Sequence, residues 1–398
     1  MSRLKETEED LRYATGFLKA TLGIIGAWPI PPTSSLSTRI SHRTKHVLVN
    51  FLFFLMIVPS LSYVFLKEKN NRMRLKLLAP TVNCSLQTFK YIVLLFQLKE
   101  IQTALDAIRQ DWMNATEENR SIFLSKAKIG RGMVLMVAVT TYGGGICYRA
   151  ILPFLRETIV TSENVTVRPL PCPGYFVFLD EQRSPNYEIL FMLQVLSGFM
   201  SYTVIAGTCG FVAFLILHVC GMLKILANKM KRLEDTTNVN EASVQRQIKD
   251  IVDYQTKIKG FLETVKAITK YICLCEMLCG SCLICIVDYC ILMEWENNNV
   301  VSIITYVAFQ ISFVFSVFIL CYIGQLLINE SDIVAETSYR MNWYRLPTWQ
   351  ARYMILIIAM SNHSMTLTAG KVFDVSLAVF SDVMKMSMGY FNLLRKVI

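Results

Sequence analysis

Charge is scarce in this sequence, and histidine is scarcer. Only 18% of the 398 residues are Asp, Glu, Lys or Arg, and there are four His. A soluble globular domain carries about 25% charged residues. With 53% apolar residues and a mean hydropathy of +0.41, the chain is too apolar for water and too charged for a bare membrane anchor. That balance excludes a disordered chain, a collagen-like repeat and a secreted disulfide scaffold. The sequence also lacks an H-E-x-x-H pair, a P-loop and a G-x-S-x-G elbow, so nothing in it supports an enzyme, a metal site or a cofactor.

What is present is long uncharged runs with polar segments between them. A membrane span needs roughly 20 mostly apolar residues. Candidate spans are Val47–Leu66, Leu77–Leu98 (carrying Lys90), Met133–Leu155 (Arg149), Ile189–Leu223, Tyr271–Met293 (Glu276 and Asp288) and Asn297–Asn329. A seventh, broken region runs over Tyr353–Gly370 and Val372–Leu394, with two helices expected to meet near Gly370. The fourth and sixth blocks are long enough to project beyond a ~30 Å hydrocarbon core. Residues 1–20 are rich in charge with no apolar stretch after them, so no cleavable signal peptide is expected.

The net charge of +10 sits in the polar segments, which favours a membrane reading over nucleic acid. If the N-terminus is cytosolic, Lys and Arg on the cytosolic side (segments 1–46, 99–132, 224–270 and 330–352) outnumber those outside by about three to one. The positive-inside rule then places the N-terminus in the cytosol and, after seven spans, the C-terminus outside. The basic segment Lys67–Lys76 points the other way. A G-protein-coupled receptor would have the opposite orientation, and the chain lacks an Asp-Arg-Tyr triplet and an Asn-Pro-x-x-Tyr run. Of the sequons at Asn83, Asn114, Asn164, Asn329 and Asn362, only Asn164 would be external and in a loop, which makes it the candidate glycosylation site.

Eleven of the twelve Cys fall in or beside apolar blocks, where Cys acts as a small hydrophobe. The C-x-x-C spacings around Cys279, Cys282 and Cys285 have no second ligand pair nearby, so metal binding is not expected. Cys172 is a candidate for an external disulfide with Cys147 or Cys290. Glu276 and Asp288 are intramembrane carboxylates, which are functional candidates by default.

The end of the chain is the most specific part. Thr366-Leu367-Thr368-Ala369-Gly370-Lys371 precedes Val375-Ser376-Leu377, and Ser387-Met388-Gly389-Tyr390-Phe391-Asn392-Leu393-Leu394-Arg395 follows. With Leu320-Cys321-Tyr322-Ile323-Gly324-Gln325 and Tyr339…Trp343-Tyr344-Arg345-Leu346-Pro347, these motifs resemble the insect odorant receptor family. Gly389 stands where a Ser or Thr is common. The resemblance implies an all-α membrane protein: seven transmembrane helices, cytosolic N-terminus, extracellular C-terminus, and a last span split into a cytosolic part and a pore-lining helix. It implies an odorant- or pheromone-gated non-selective cation channel in the plasma membrane of olfactory sensory neuron dendrites. The loop at 224–270 is too short for the shared odorant co-receptor (Orco), so the chain resembles an odour-tuning subunit that joins co-receptor subunits in a tetramer. The implied partners are a small volatile apolar ligand, the lipid bilayer and permeating cations, with no nucleic acid. A metabotropic seven-helix chemoreceptor, a gustatory-type receptor channel and a secondary transporter are the competing readings. The gustatory last-span pattern and inverted repeats are both missing.

The implied organisation is a cytosolic segment 1–46, a ligand-binding bundle 47–223 with an external loop 156–188, a cytosolic helical loop 224–270, spans 271–329, a cytosolic segment 330–370 and a pore-lining helix 371–398. In 224–270, Ile248, Ile251, Val252, Ile258, Phe261, Leu262 and Val265 form an apolar stripe that should be buried. Trp343, Tyr344 and Trp349 are candidates to join it in an anchor layer between subunits. Met386, Gly389, Leu393 and Lys396 recur at three- and four-residue steps on one face of the last helix; the resemblance makes Leu393 the apolar gate. It also places the odorant cavity in the outer half of the bundle. Thr141, Gly144 and Tyr148 share one face of span three, and Tyr306, Phe309 and Gln310 lie on span six. Span two offers Asn83, Leu86 and Gln87, and span four offers Phe191, Gln194 and Met200. Such a pocket should be enclosed, aromatic and aliphatic, with few polar groups.

Overall fold

A computed structural model describes residues 2–31, 33–151, 153, 159–160, 166–168, 170–176, 180–236, 241–341, 343–345 and 348–397. Among these residues there are ten α-helices and two short antiparallel hairpins. The helices are α1 (Ser2–Ile24), α2 (Leu36–Ser62), α3 (Asn71–Phe96), α4 (Leu98–Asn114), α5 (Glu117–Ile146), α6 (Asn186–Thr236), α7 (Glu241–Glu296), α8 (Val300–Arg340), α9 (Thr348–Ser361) and α10 (Leu377–Val397). Side-chain caps start several of them. Ser35 accepts from Thr38 N, Asn70 from Arg72 N, Thr116 from Asn119 N and Asn299 from Ser302 N, each satisfying an N–H that the first turn leaves open.

Among the described residues, the first six expected spans lie largely on helices α2, α3, α5, α6, α7 and α8. Among the described residues, four stretches are long and apolar enough to cross a membrane: Leu36–Lys67, Asn186–Leu233, Ala242–Glu296 and Val300–Arg340. Helices α3 and α5 have 26 and 30 residues and are more polar. Helix α6 is apolar all round, and Phe211, Ile216, Val219, Cys220 and Met222 on it are almost wholly buried. A helix without a polar face belongs in the middle of a bundle, and α1, α2, α3, α5, α7 and α8 pack against it. Helices α6 and α7, with 51 and 56 residues, rise roughly 75–85 Å at 1.5 Å per residue. Their polar ends therefore extend well past any hydrocarbon core.

Those extensions replace the separate helical loop expected at 224–270. The end of α6 and the start of α7 lie along each other, and residues 237–240 between them are outside the described set. Ile248, Ile251, Ile258, Phe261, Leu262 and Val265 are buried, as their spacing required. Trp343 packs partly against the core, Tyr344 is exposed, and the side chain of Trp349 is outside the description. In the same layer, Asp111 on α4 binds His218 Nε2 at 3.1 Å and pairs with Lys257. Burial on its own would raise the Asp111 carboxyl, but the hydrogen bonds from His218 and Lys257 outweigh it and hold the group below its ordinary value.

Two segments differ from expectation. Residues 1–46 hold a full helix, α1, tied to the bundle by Tyr91 Oη donating to Ile25 O at 2.8 Å and Lys45 Nζ to Gly23 O at 2.8 Å. The seventh region does not bend at one residue. Helix α9 ends at Ser361, and a hairpin pairs Thr368 with Asp374 and Ala369 with Phe373 before α10 begins. Gly370 and Lys371 both have positive φ, +62° and +63°, and Val372 N donates to Ala369 O at 3.0 Å, turning the chain between the paired Ala369 and Phe373. The basic segment 67–76 finds acidic partners: Lys76 pairs with Glu294, and Arg72 lies 4.0 Å from Glu296.

Candidate functional site: a buried aromatic cavity and an unpaired helix face

Helices α3, α5, α6, α7 and α8 surround a narrow cavity of about 10 Å3. Four of the expected residues line it: Leu86, Gln87, Thr141 and Phe309, together with Ile205, Glu276, Gly280, Leu283, Ser312, Phe313 and Ser316. Tyr148 stacks on Phe309, with ring centroids 5.2 Å apart and planes 8° apart, and meets Tyr306 at 5.8 Å. Phe309 meets Phe313 edge-on at 4.6 Å. Each such pair contributes about 0.5–1.5 kcal/mol beyond its buried area, so the aromatic wall is held in shape before any ligand arrives. The helical spacing that put Tyr148 on the Thr141 face, and Tyr306 and Phe309 on one side of α8, is what builds it.

The polar groups here are few and fixed. Gln87 Nε2 donates to Asn83 Oδ1 at 3.1 Å, and both residues are buried. Gln87 Oε1 and Thr141 Oγ1 are buried without a hydrogen-bond partner among the described residues. Below them, Lys90 pairs with Glu276, and Ser316 Oγ donates to the same carboxylate. Lys90 is 1% exposed. A buried charge persists only when it is paired and hydrogen-bonded, and this triad meets that condition inside the bundle. The sequence showed both charges but not their pairing, because that depends on how α3 and α7 align. Phe313, Ile205 and Leu283 also line the cavity and were missed, since apolar residues on apolar helices carry no distinguishing signal.

The other expected residues serve contacts between elements. Gly144 lies against α8, where a Cβ would stand 2.8 Å from Ala308 O and from Ser312 Oγ. Gln194 holds the segment at Cys172: its Oε1 accepts from Cys172 N at 3.0 Å, and its Nε2 donates to Cys172 O at 2.8 Å. Cys147 and Cys290, the disulfide partners expected for Cys172, are free thiols. Gln310 donates to Asp288 Oδ1 at 2.8 Å and to Ile284 O at 3.3 Å, bridging α8 to α7. Phe191 meets Tyr187, and Met200 packs on the core. Asn164 lies outside the described residues.

Helix α10 has two unlike faces. Val383 and Ser387 are buried, Ser387 Oγ reaches Ser281 O at 3.3 Å, and Phe380 meets Phe318 at 5.4 Å. The opposite face leaves Met386 50% and Leu393 59% exposed, with open space around Gly389. Lys396 continues the same spacing in the last turn, and its side chain is outside the description. The helix is seated by the hairpin before it. Gly324 on α8 approaches that hairpin so closely that a Cβ would sit 2.1 Å from Val375 O, and Gly370 N donates to Lys270 O at 3.2 Å.

Comparison with known proteins follows the same line. A family model described as 7tm Odorant receptor matches residues 72–388. Odorant receptor 30a of Drosophila melanogaster is 25% identical over 246 residues, covering 61% of this chain and 63% of that protein. Odorant receptor 10 of Aedes albopictus is 24% identical, covering 58% and 61%, so these two matches span less than two thirds of either relative. Odorant receptor 13a of Drosophila melanogaster aligns at 22% identity over 98% of this chain and 91% of its own. In fold, the chain is similar to the insect olfactory receptor OR5 from Machilis hrabei in complex with eugenol, with a TM-score of 0.79 at 13% identity over 97% of this chain and 100% of that one. A family match over most of the length, joined to an all-helical bundle with an aromatic cavity, identifies a multi-pass membrane receptor and not an enzyme: this chain belongs to the insect odorant receptor family.

Proposed function

We propose that the chain is the odour-tuning subunit of an odorant- or pheromone-gated, non-selective cation channel. It assembles as a tetramer with the shared co-receptor in the plasma membrane of olfactory sensory neurons. The N-terminus is cytosolic and the C-terminus external, the orientation that the spread of Lys and Arg favours. The observation that carries the reading is the free face of α10. Met386, Gly389 and Leu393 lie together, apolar and exposed, on a helix whose other face is packed. In a ring of subunits that face lines a shared axis, and a ring of Leu393-type side chains closes it by dewetting. The ligand occupies the Tyr148–Phe309 cavity. Aromatic and aliphatic walls supply most of the affinity, and Gln87 and Thr141 offer it hydrogen-bonding atoms.

The test is electrical. Expressed with the co-receptor in a cell without other receptors, the chain should give a cation current within a panel of volatiles, in excised patches free of nucleotide and G protein. A response that vanishes on patch excision and returns with added GTP would instead establish a metabotropic receptor.

A further inference from the structure

A second cavity lies under the N-terminal helix and shares no residue with the first. A cavity of about 40 Å3 lies among α1, α4, α5 and α6 there, room for about three water-sized groups, so it seats the head of a ligand. Along α5 the two cavities are seven residues apart, from Val134 to Thr141, or roughly 10 Å. The walls are apolar: Phe17 and Leu18 from α1, Val134 from α5, Phe214 and Leu217 from α6.

Trp112 also lines this cavity, and it is 2% exposed. Its ring stacks on Phe123 at 5.7 Å, and Phe123 stacks on His218 at 4.7 Å. The indole Nε1 is buried with no hydrogen-bond acceptor among the described residues. The neighbouring polar groups are engaged elsewhere. His218 Nε2 is on Asp111, Lys126 is paired with Glu330, and Arg131 lies over the Tyr13 ring at 4.2 Å and donates to Tyr13 O. A buried donor without an acceptor is costly. An oxygen carried on an apolar body would relieve that cost and match the walls.

We propose that this cavity binds a small neutral lipophile with one hydrogen-bond acceptor, an alcohol, ester or ketone oxygen seated on Trp112 Nε1. The pairing of Lys126 and the apolar walls argue against an anion. Two sources share this chemistry, a volatile dissolved in the membrane and the ester-bearing chain of a phospholipid.

Photolabelling of the purified full chain in phosphatidylcholine vesicles tests it. One arm uses a diazirine-bearing octanol, one a phosphatidylcholine with a diazirine in its acyl chain, and a control uses a diazirine-bearing octane. Label from either oxygenated probe should map to the α1, α5 and α6 segments around Phe17, Ala127 and Leu217. The octanol or lipid arm that labels names the source. Octanol or lipid should exceed octane by roughly fivefold, the factor that one modest hydrogen bond gives. Trp112→Phe keeps the stack, removes the donor and should bring that ratio to one. Ala127→Phe fills the cavity and should abolish label there while leaving label on the lipid-facing surface, and it serves if Trp112→Phe does not fold. Absence of label in the cavity from both oxygenated probes, or a ratio that Trp112→Phe leaves unchanged, overturns the proposal.

Discussion

At the scale of single residues, Tyr148 and Lys90 do different work beside the same cavity, each against a residue that lines it. Tyr148 supplies a flat face stacked on Phe309. Tyr148→Ala should weaken the response to an activating odorant about tenfold in effective concentration, the loss of one stacking contact and its area. Tyr148→Phe should retain most of it, and concentration–response curves distinguish the two. Lys90 stabilises the Glu276 carboxylate. Lys90→Met leaves that charge buried and unpaired, which costs about 3–5 kcal/mol. The double variant Lys90→Met/Glu276→Gln should recover much of the lost thermal stability in detergent, because no uncompensated charge remains. Periodicity put Thr141 and Tyr148 on one face and Tyr306 and Phe309 on another, and the rings of Tyr148, Tyr306 and Phe309 meet in the structure. It did not separate Gly144 from them, because a glycine facing a cavity and a glycine facing a helix have the same spacing. Gln194 and Gln310 were equally ambiguous, since a polar side chain in a span satisfies either a ligand or a backbone.

The signature at the end of the chain acquires a physical reason at the scale of elements. The Thr-Ala-Gly-Lys run is the first strand and tip of a β-hairpin, and Gly324 in the sixth-span motif is the surface it rests on. Gly324→Ala puts a methyl 2.1 Å from Val375 O and should destabilise the fold by about 1–3 kcal/mol or more, read as a lower melting temperature or lost surface expression. Gly389→Ala meets open space and, mid-helix, should leave the fold as stable or slightly more so. A change in conductance from that variant would then reflect the permeation path and not folding. The hydrophobic blocks made the helices legible, along with the break in the seventh region. The hairpin was hidden because two-residue strands carry no period. Helix α1 was hidden because its charge masks a buried side that includes Leu18 and Leu22.

Over the whole molecule, the two cavities described above share α6 as a wall. The aromatic cavity is closed by α5 and α8, and α10 packs on α7 and α8. A ligand that spreads the walls of the cavity therefore pushes on helices that touch α10. Coupling through such shared helices needs two discrete arrangements of them, which on this account are the closed and open pore. The most direct measurement is aqueous access to Leu393. In a co-receptor complex carrying Leu393→Cys, a charged methanethiosulfonate applied during odorant exposure should alter the evoked current irreversibly, and much faster than when applied at rest, while the same reagent leaves the unsubstituted complex unchanged. A working Leu393→Cys complex whose current the reagent never alters would contradict the claim that α10 walls the conducting path.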